Sequence, residues 1–182
     1  SSTIYSNAAA YNGSGSTGGA GGGLYNITGA LTVNNSSVYS NAAAYVGTNG
    51  FGGAGGGIYN EDGTLTVNNS AVYSNAVAYV GANGIGGAAG GGIFSTGTLT
   101  VTNSTFSGNS APGGGGGIYN NGGALNVTNI PFTGNSAAIG HGGGIYNLGL
   151  LEASFVTVAS NAAGSSGSGG GIYNSGTAKI KN

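Results

Sequence analysis

Charge is almost missing from this chain. Of its 182 residues only Glu61, Asp62, Glu152, Lys179 and Lys181 are charged, and the net charge is -1. No basic patch exists to neutralise phosphates, which excludes a nucleic-acid partner and argues against an anionic membrane surface. No apolar run approaches the ~20 residues of a membrane helix, so no membrane insertion is expected. Cysteine is absent, so the fold is built without disulfides or thiolate metal sites. With 44 glycines, helix is disfavoured throughout. No leader pattern precedes the opening SSTIYSN, which reads as a mature product or a fragment. Richness in Gly, Ser and Asn alone would suit a disordered chain. A regular apolar pattern argues against it, because disorder requires none.

That pattern is a repeat. GGGLYN stands at 21–26 and GGGIYN at 55–60, followed by GGGIFS at 90–95 and GGGIYN at 115–120, 142–147 and 169–174. A second block begins six or seven residues after each apolar anchor: LTVNN at Leu31 and Leu65, LTVTN at Leu99, LNVTN at Leu125. A third block closes on Asn: IYSN at 4–7, VYSN at 38–41 and 72–75, FSGN at 106–109, FTGN at 132–135 and VASN at 158–161. The later units are 25 to 27 residues long. Each block is short, alternating and rich in β-branched residues, and so reads as a strand. Three short strands cannot bury a face alone, but stacked units can, each strand pairing in parallel with its copy one coil away. The predicted architecture is all-β: a single-stranded parallel β-helix of about six coils with three short strands per coil, one β-solenoid domain over residues 1–182.

Period two assigns the faces. The interior holds ladders of like residues: Leu24, Ile58, Ile93, Ile118, Ile145 and Ile172; Leu31, Leu65, Leu99, Leu125 and Leu151; Val38, Val72, Phe106, Phe132 and Val158. Asn ends all three kinds of block, with Ser95 of GGGIFS in its place in one copy, because it tolerates left-handed turns and bonds to an Asn one coil away. Asn7, Asn41, Asn75, Asn109, Asn135 and Asn161 form one structural ladder. Asn26, Asn60, Asn120, Asn147 and Asn174 form another. Asn35, Asn69, Asn103 and Asn129 mark the remaining corner, with Asn35 expected to point inward.

GGGI paired with FSGN or FTGN resembles the GGA-I and F-x-x-N repeats of the polymorphic outer-membrane proteins, and the wider group of bacterial adhesins with right-handed β-helix passengers. The resemblance covers nearly the whole chain. It implies a right-handed coil, in line with the rule for parallel crossovers, and an extracellular or cell-surface location. The chain differs from those passengers in carrying Gly where the third motif residue is often Ala, in having far fewer charges, and in containing no β-barrel translocation domain.

Catalysis finds no support in the residues. Glu152 lies about three coils, ~14 Å, from the Glu61–Asp62 pair, so no two separated carboxylates flank one bond. Lys179 is expected directly above Glu152 as a surface ion pair. His141 stands alone in a Gly-rich turn and is expected to be solvated. The Gly-rich runs match neither the calcium nonapeptide nor a phosphate loop, so no metal or cofactor is expected. Sequons occur at Asn12, Asn26, Asn34, Asn35, Asn68, Asn103 and Asn126. Of these Asn12, Asn34, Asn68 and Asn126 are candidates for glycosylation.

The outward positions carry the interaction candidates. Tyr25, Tyr59, Phe94, Tyr119, Tyr146 and Tyr173 should form one exposed aromatic column, and Tyr5, Tyr39 and Tyr73 a shorter one. The connections at 8–20, 42–54 and 76–88 resemble one another. They are expected to stack into an ordered ridge carrying Tyr11, Tyr45, Tyr79, Phe51 and Ile85, with Val46 and Val80 partly packed. The two termini match in phase: TAKIKN followed by SSTIYSN reproduces TLTVNNSAVYSN with one extra residue. The head-to-tail assembly strands are therefore expected at Ser2, Ile4 and Tyr5 and at Ala178, Ile180 and Asn182. The leading functional expectation is a non-enzymatic extracellular subunit whose partner is itself, forming a homopolymeric filament. The alternatives are a fragment of a surface adhesin binding glycans or host proteins through its aromatic column, and an ice-binding face built on Thr64, Thr66, Thr98, Thr100 and Thr102.

Overall fold

The computed structural model describes residues 1–12, 19–46, 54–80 and 89–182. Every strand pair in it is parallel, and each strand pairs with its own repeat copy, as the block reading requires. The GGGI blocks make one six-stranded sheet: Leu24–Ile27, Ile58–Glu61, Ile93–Ser95, Ile118–Asn120, Ile145–Asn147 and Ile172–Asn174. The second and third blocks share a ten-stranded sheet that bends at a corner. In the first three coils the corner separates two strands, such as Thr64–Asn68 and Ala71–Tyr73. Later the two run together as Ala124–Thr133 and Leu150–Ala159.

The third sheet is one that block matching passes over. It consists of Ala8–Asn12, Ala42–Val46, Ala76–Val80, Ser110–Ala111, Ser136–Ala137 and Ala162–Ala163. These residues follow the Asn of the third block and add a fourth strand to the coils that begin at Leu24, Ile58 and Ile93, and a third to the two that begin at Ile118 and Ile145, where the second and third blocks run together. The segment was hidden because its inward residues, Ala43, Val77, Ala111 and Ala137, are small. Its register is strict, with Tyr11 opposite Tyr45 and Tyr45 opposite Tyr79.

The core is one narrow column. Ile58, Leu65, Val67, Val72, Ile93, Leu99, Phe106, Ile118, Leu125, Phe132, Ile145 and Leu151 are fully buried in it. Each sits in register with the like residue one coil away, for example Leu65 with Leu99 and Phe106 with Phe132. Phe106 and Phe132 stack with centroids 5.1 Å apart. Each coil contributes a short row of inward side chains, such as Ile58, Leu65, Val67 and Val72, and like residues at a fixed axial step stack into ladders.

Glycine is required where the GGGI block turns against the third sheet. Gly55 has φ 64. A Cβ on Gly56 would lie 2.4 Å from the Gly91 carbonyl oxygen and 2.5 Å from that of Ala76. The backbone of one coil is thus wedged between two others, and no side chain fits there.

Candidate functional site

Two buried polar ladders run the length of the solenoid. In the first, the side-chain Nδ2 of Asn7, Asn41, Asn75, Asn109 and Asn135 donates to the Oδ1 of the next Asn, ending at Asn161, over 2.9 to 3.0 Å. The same Oδ1 accepts the backbone N–H of the preceding Asn, as Asn109 does for Asn75 at 3.1 Å. The second N–H of each amide reaches back to a carbonyl of the earlier coil, as Asn109 does to Val72 at 2.9 Å. From Asn41 to Asn135 these amides are buried and paired, so they are structural and offer nothing to a ligand; Asn7 at one end is exposed and Asn161 at the other partly so.

The second ladder has a break. Asn26 donates to Asn60, and Asn60 to the Ser95 hydroxyl at 3.0 Å. Ser95 spends its single proton on the Gly97 carbonyl. Asn120 Oδ1 therefore meets no donor, and it is the one buried side-chain polar atom without a partner among the described residues. The ladder resumes as Asn120 to Asn147 and Asn147 to Asn174, each 2.7 Å.

The long aromatic column forms, with one correction to its exposure. Tyr25 is half exposed and Tyr59, Tyr146 and Tyr173 partly so, but Phe94 and Tyr119 are buried. Away from the Tyr59–Phe94 step, neighbouring rings cover one another's faces. Tyr25 and Tyr59 stack at 5.0 Å, Phe94 and Tyr119 at 5.2 Å, Tyr119 and Tyr146 at 4.5 Å, Tyr146 and Tyr173 at 4.8 Å. The step from Tyr59 to Phe94 is edge-on, 69° between planes, at the same coil as the broken ladder. Burial raises the hydroxyl pKa of Tyr119, Tyr59 and Tyr146. Tyr25 donates a hydrogen bond to the Glu61 carboxylate, which, with smaller contributions from burial and charge, lifts its pKa from the ordinary 10.0 to about 12. His141, expected as a solvated turn residue, is only partly exposed. Its ring stacks on Tyr173 at 4.6 Å and its Nδ1 accepts the Ser168 backbone N–H at 2.8 Å. The short column of Tyr5, Tyr39 and Tyr73 stacks at 5.2 and 4.7 Å.

The bent corner departs from expectation. Asn35, Asn69, Asn103 and Asn129 are exposed, not inward. Each sits in left-handed backbone, with φ between 47 and 57. A left-handed residue reverses the alternation, so the residue after it turns inward: Ser70, Ser104 and Ile130 are buried. The Asn side chains are left outside along a groove of about 460 Å³, lined by Asn35, Ser37, Asn69, Ala71, Asn103 and Thr105 among others.

Of the ridge residues, Tyr11 is exposed and Tyr79 partly buried. Tyr45 is placed by strand register. Phe51 and Ile85 lie outside the described residues, as do the side chains of Val46 and Val80. Ser2, Tyr5, Ala178, Ile180 and Asn182 are exposed, and Ile4 packs partly against the core. Lys179 is the direct cross-strand neighbour of Glu152. Among the described residues no three His, Cys, Asp or Glu come together as a metal site would need.

The segment from the corner Asn103 through FSGN to GGGIYN has a recognisable counterpart. Residues 103–121 match the Chlamydia polymorphic membrane protein repeat. The match spans the two motifs that carried the resemblance and the short strand Ser110–Ala111 between them. The structure gives that repeat a physical meaning. Its Phe106 is a core rung, its Asn109 a ladder rung, and its glycines the close approach to the neighbouring coil. No curated protein and no solved structure matches the chain.

Proposed function

We propose that this chain is a non-enzymatic structural solenoid of the cell surface, and that copies of it add head to tail into an extracellular fibre. One observation carries the reading: the side-chain-to-side-chain bonds of both polar ladders run in a single axial direction, each bonded rung donating one N–H to the next rung toward the C-terminus. Each coil is a template for the next, in backbone, core and side-chain hydrogen bonds alike. In a head-to-tail joint Asn161 donates to Asn7 of the next copy and Asn174 to Asn26. Ile4 settles on Val158, and Tyr25 stacks on Tyr173. Ala178 and Ile180 take Leu31 and Val33 of that copy as Leu151 and Ala153 take Ala178 and Ile180. Such a contact is heterologous and does not close, so it grows. The near-zero net charge opposes it little. The polymorphic membrane protein repeat supports the surface location.

The aromatic column fits this structural role better than a role as a sugar platform. Sugars stack on ring faces, and here the rings cover one another's faces. The threonine face is also interrupted. Thr64 pairs with Thr98 and Thr66 with Thr100, but Asn126, Glu152 and Lys179 follow in the same column.

Negative-stain electron microscopy over a range of concentrations tests the proposal, with Ile180→Asp as the variant. Filaments that disappear with Ile180→Asp are the expected result. Dispersed single particles at every concentration would remove the fibre and leave a solenoid that acts as a single chain.

A further inference from the structure

Phe155 is out of place in its own column. Strand register puts it next after Asn35, Asn69, Asn103 and Asn129 at the bent corner, since Thr128 opposes Ser154 and Ile130 opposes Val156. It adopts the same left-handed backbone, φ 53. Asparagine tolerates that conformation, whereas a bulky aromatic residue is strained by it. Its side chain gains no burial in return: Phe155 is 61% exposed. It stacks on no other ring among the described residues, unlike Phe106 and Phe132 in the core and the tyrosines of the outer columns. A strained, exposed, unstacked ring serves nothing in the fold, and strain of this kind is kept at sites of function.

The rest of the column supplies the setting. The corner groove is lined by exposed carboxamides, Asn35, Asn69 and Asn103, and by the hydroxyl-bearing Ser37 and Thr105, with no charged group among its lining residues. Each amide offers donors and an acceptor. Asn129 keeps the row in order by donating to Asn103 at 2.9 Å. The amides repeat once per coil, at ~4.8 Å, a step close to the length of one pyranose ring in an extended chain. Four coil steps from Asn35 to Phe155 make a track of ~19 Å.

We propose that this corner is a binding track for an uncharged linear oligosaccharide lying along the solenoid axis. One sugar stacks on the free face of Phe155, and the Asn amides bond the hydroxyls of those that follow. No charged group lines the groove from Asn35 to Thr105, and Lys181, opposite Ser154, is the single charge beside Phe155; the carboxamide row favours neutral glycans over sulfated or uronic-acid chains, and the ring supplies the apolar contact that the self-stacked tyrosines do not.

The test is titration of the 182-residue chain with cello-, laminari- and chito-oligosaccharides, and with heparin fragments as the anionic comparison, read by calorimetry. Two variants accompany it. Phe155→Asn restores the residue of the other coils and relieves the strain. The double variant Asn69→Gly, Asn103→Gly removes two amides and keeps residues that accept positive φ. The expected result is saturable binding of a neutral oligosaccharide that weakens about tenfold or more in each variant, while Phe155→Asn unfolds at a higher temperature than the parent. Loss of binding in a more stable protein separates a ligand contact from a packing role. Phe155→Tyr keeps the ring and is expected to keep the binding. Failure of every neutral oligosaccharide to bind, binding of heparin alone, or unchanged affinity in Phe155→Asn would each overturn the proposal.

Discussion

Replacing Ser95 by Asn should stabilise this protein, against the usual direction of a core substitution. Ser95 is fully buried and stands where the coils on either side carry Asn60 and Asn120. In those neighbours one amide N–H reaches a local carbonyl, Asn60 to Gly63 and Asn120 to Gly123, and the other continues the ladder. An Asn at 95 would accept from Asn60 through Oδ1 and hold the Gly97 carbonyl through Nδ2. Its second N–H would supply the donor that Asn120 Oδ1 lacks. An orphaned buried acceptor costs ~1–3 kcal/mol. Against that stands the entropy of fixing a longer side chain, well under the gain because the ladder already defines its rotamer. The net expectation is ~1–2 kcal/mol, which at this chain length is a rise in Tm of about 3–6 °C. Ser95→Ala, which also deprives Asn60 of its acceptor, should lower stability by a similar amount. Thermal unfolding followed by far-ultraviolet circular dichroism measures both. An unchanged or lowered Tm in Ser95→Asn would refute the reasoning, and would mean that a buried water already satisfies Asn120 in the space left by the smaller side chain.

The unbroken ladder makes the opposite prediction. Asn109→Ala strips the acceptor from the Asn75 backbone and side-chain N–H groups and the donor from the Val72 carbonyl, and should cost about 3–5 kcal/mol in a denaturant titration. The pH prediction concerns Tyr25. Its pKa is raised in the folded protein, so its contribution to stability is whole below pH 10 and is lost as the pH climbs from 10.0 to about 12. In a spectrophotometric titration Glu61→Gln should bring the Tyr25 ionisation back toward the ordinary value, while Tyr119 and Tyr146, raised by burial and not by Glu61, stay high.

The coil was legible because its rules are periodic. Leu65, Val67 and Val72 alternate with outward residues, and a two-residue period fixes which side meets the core once stacking is assumed. The Asn7–Asn161 ladder was legible for the same reason, as one residue type at one phase of every unit. The corner was not. Asn35 follows Val33 by two and so reads as inward, but its positive φ resets the phase, and left-handed backbone leaves no mark in an alternation pattern beyond the presence of Asn itself. Phe155 escaped notice because it interrupts a column whose outward course had not been established. The third sheet was anticipated only as stacked connections at 8–20, 42–54 and 76–88; that they open as strands and continue at Ser110–Ala111, Ser136–Ala137 and Ala162–Ala163 escaped because Ala43 and Ala111 carry too little apolar surface to register as a core face. The exposure of the aromatic column was misjudged at Phe94 and Tyr119, since period two gives direction and says nothing about what stacks above and below.

The strict register also makes length a heritable variable counted in whole coils. The sequence LTVNNS occurs unchanged at 31–36 and at 65–70, so misaligned recombination between its coding copies removes or adds one coil and leaves each remaining strand facing a like strand. The solenoid shortens by one step and no ladder is cut. An exchange between Leu65–Asn69 and Leu99–Asn103 does more. It excises Ser95 along with its coil and sets Asn120 directly above Asn60, closing the gap in the ladder by subtraction. The flaw in this chain is thus confined to one removable unit, and a lineage could lose it in a single genetic event without passing through a misfolded intermediate.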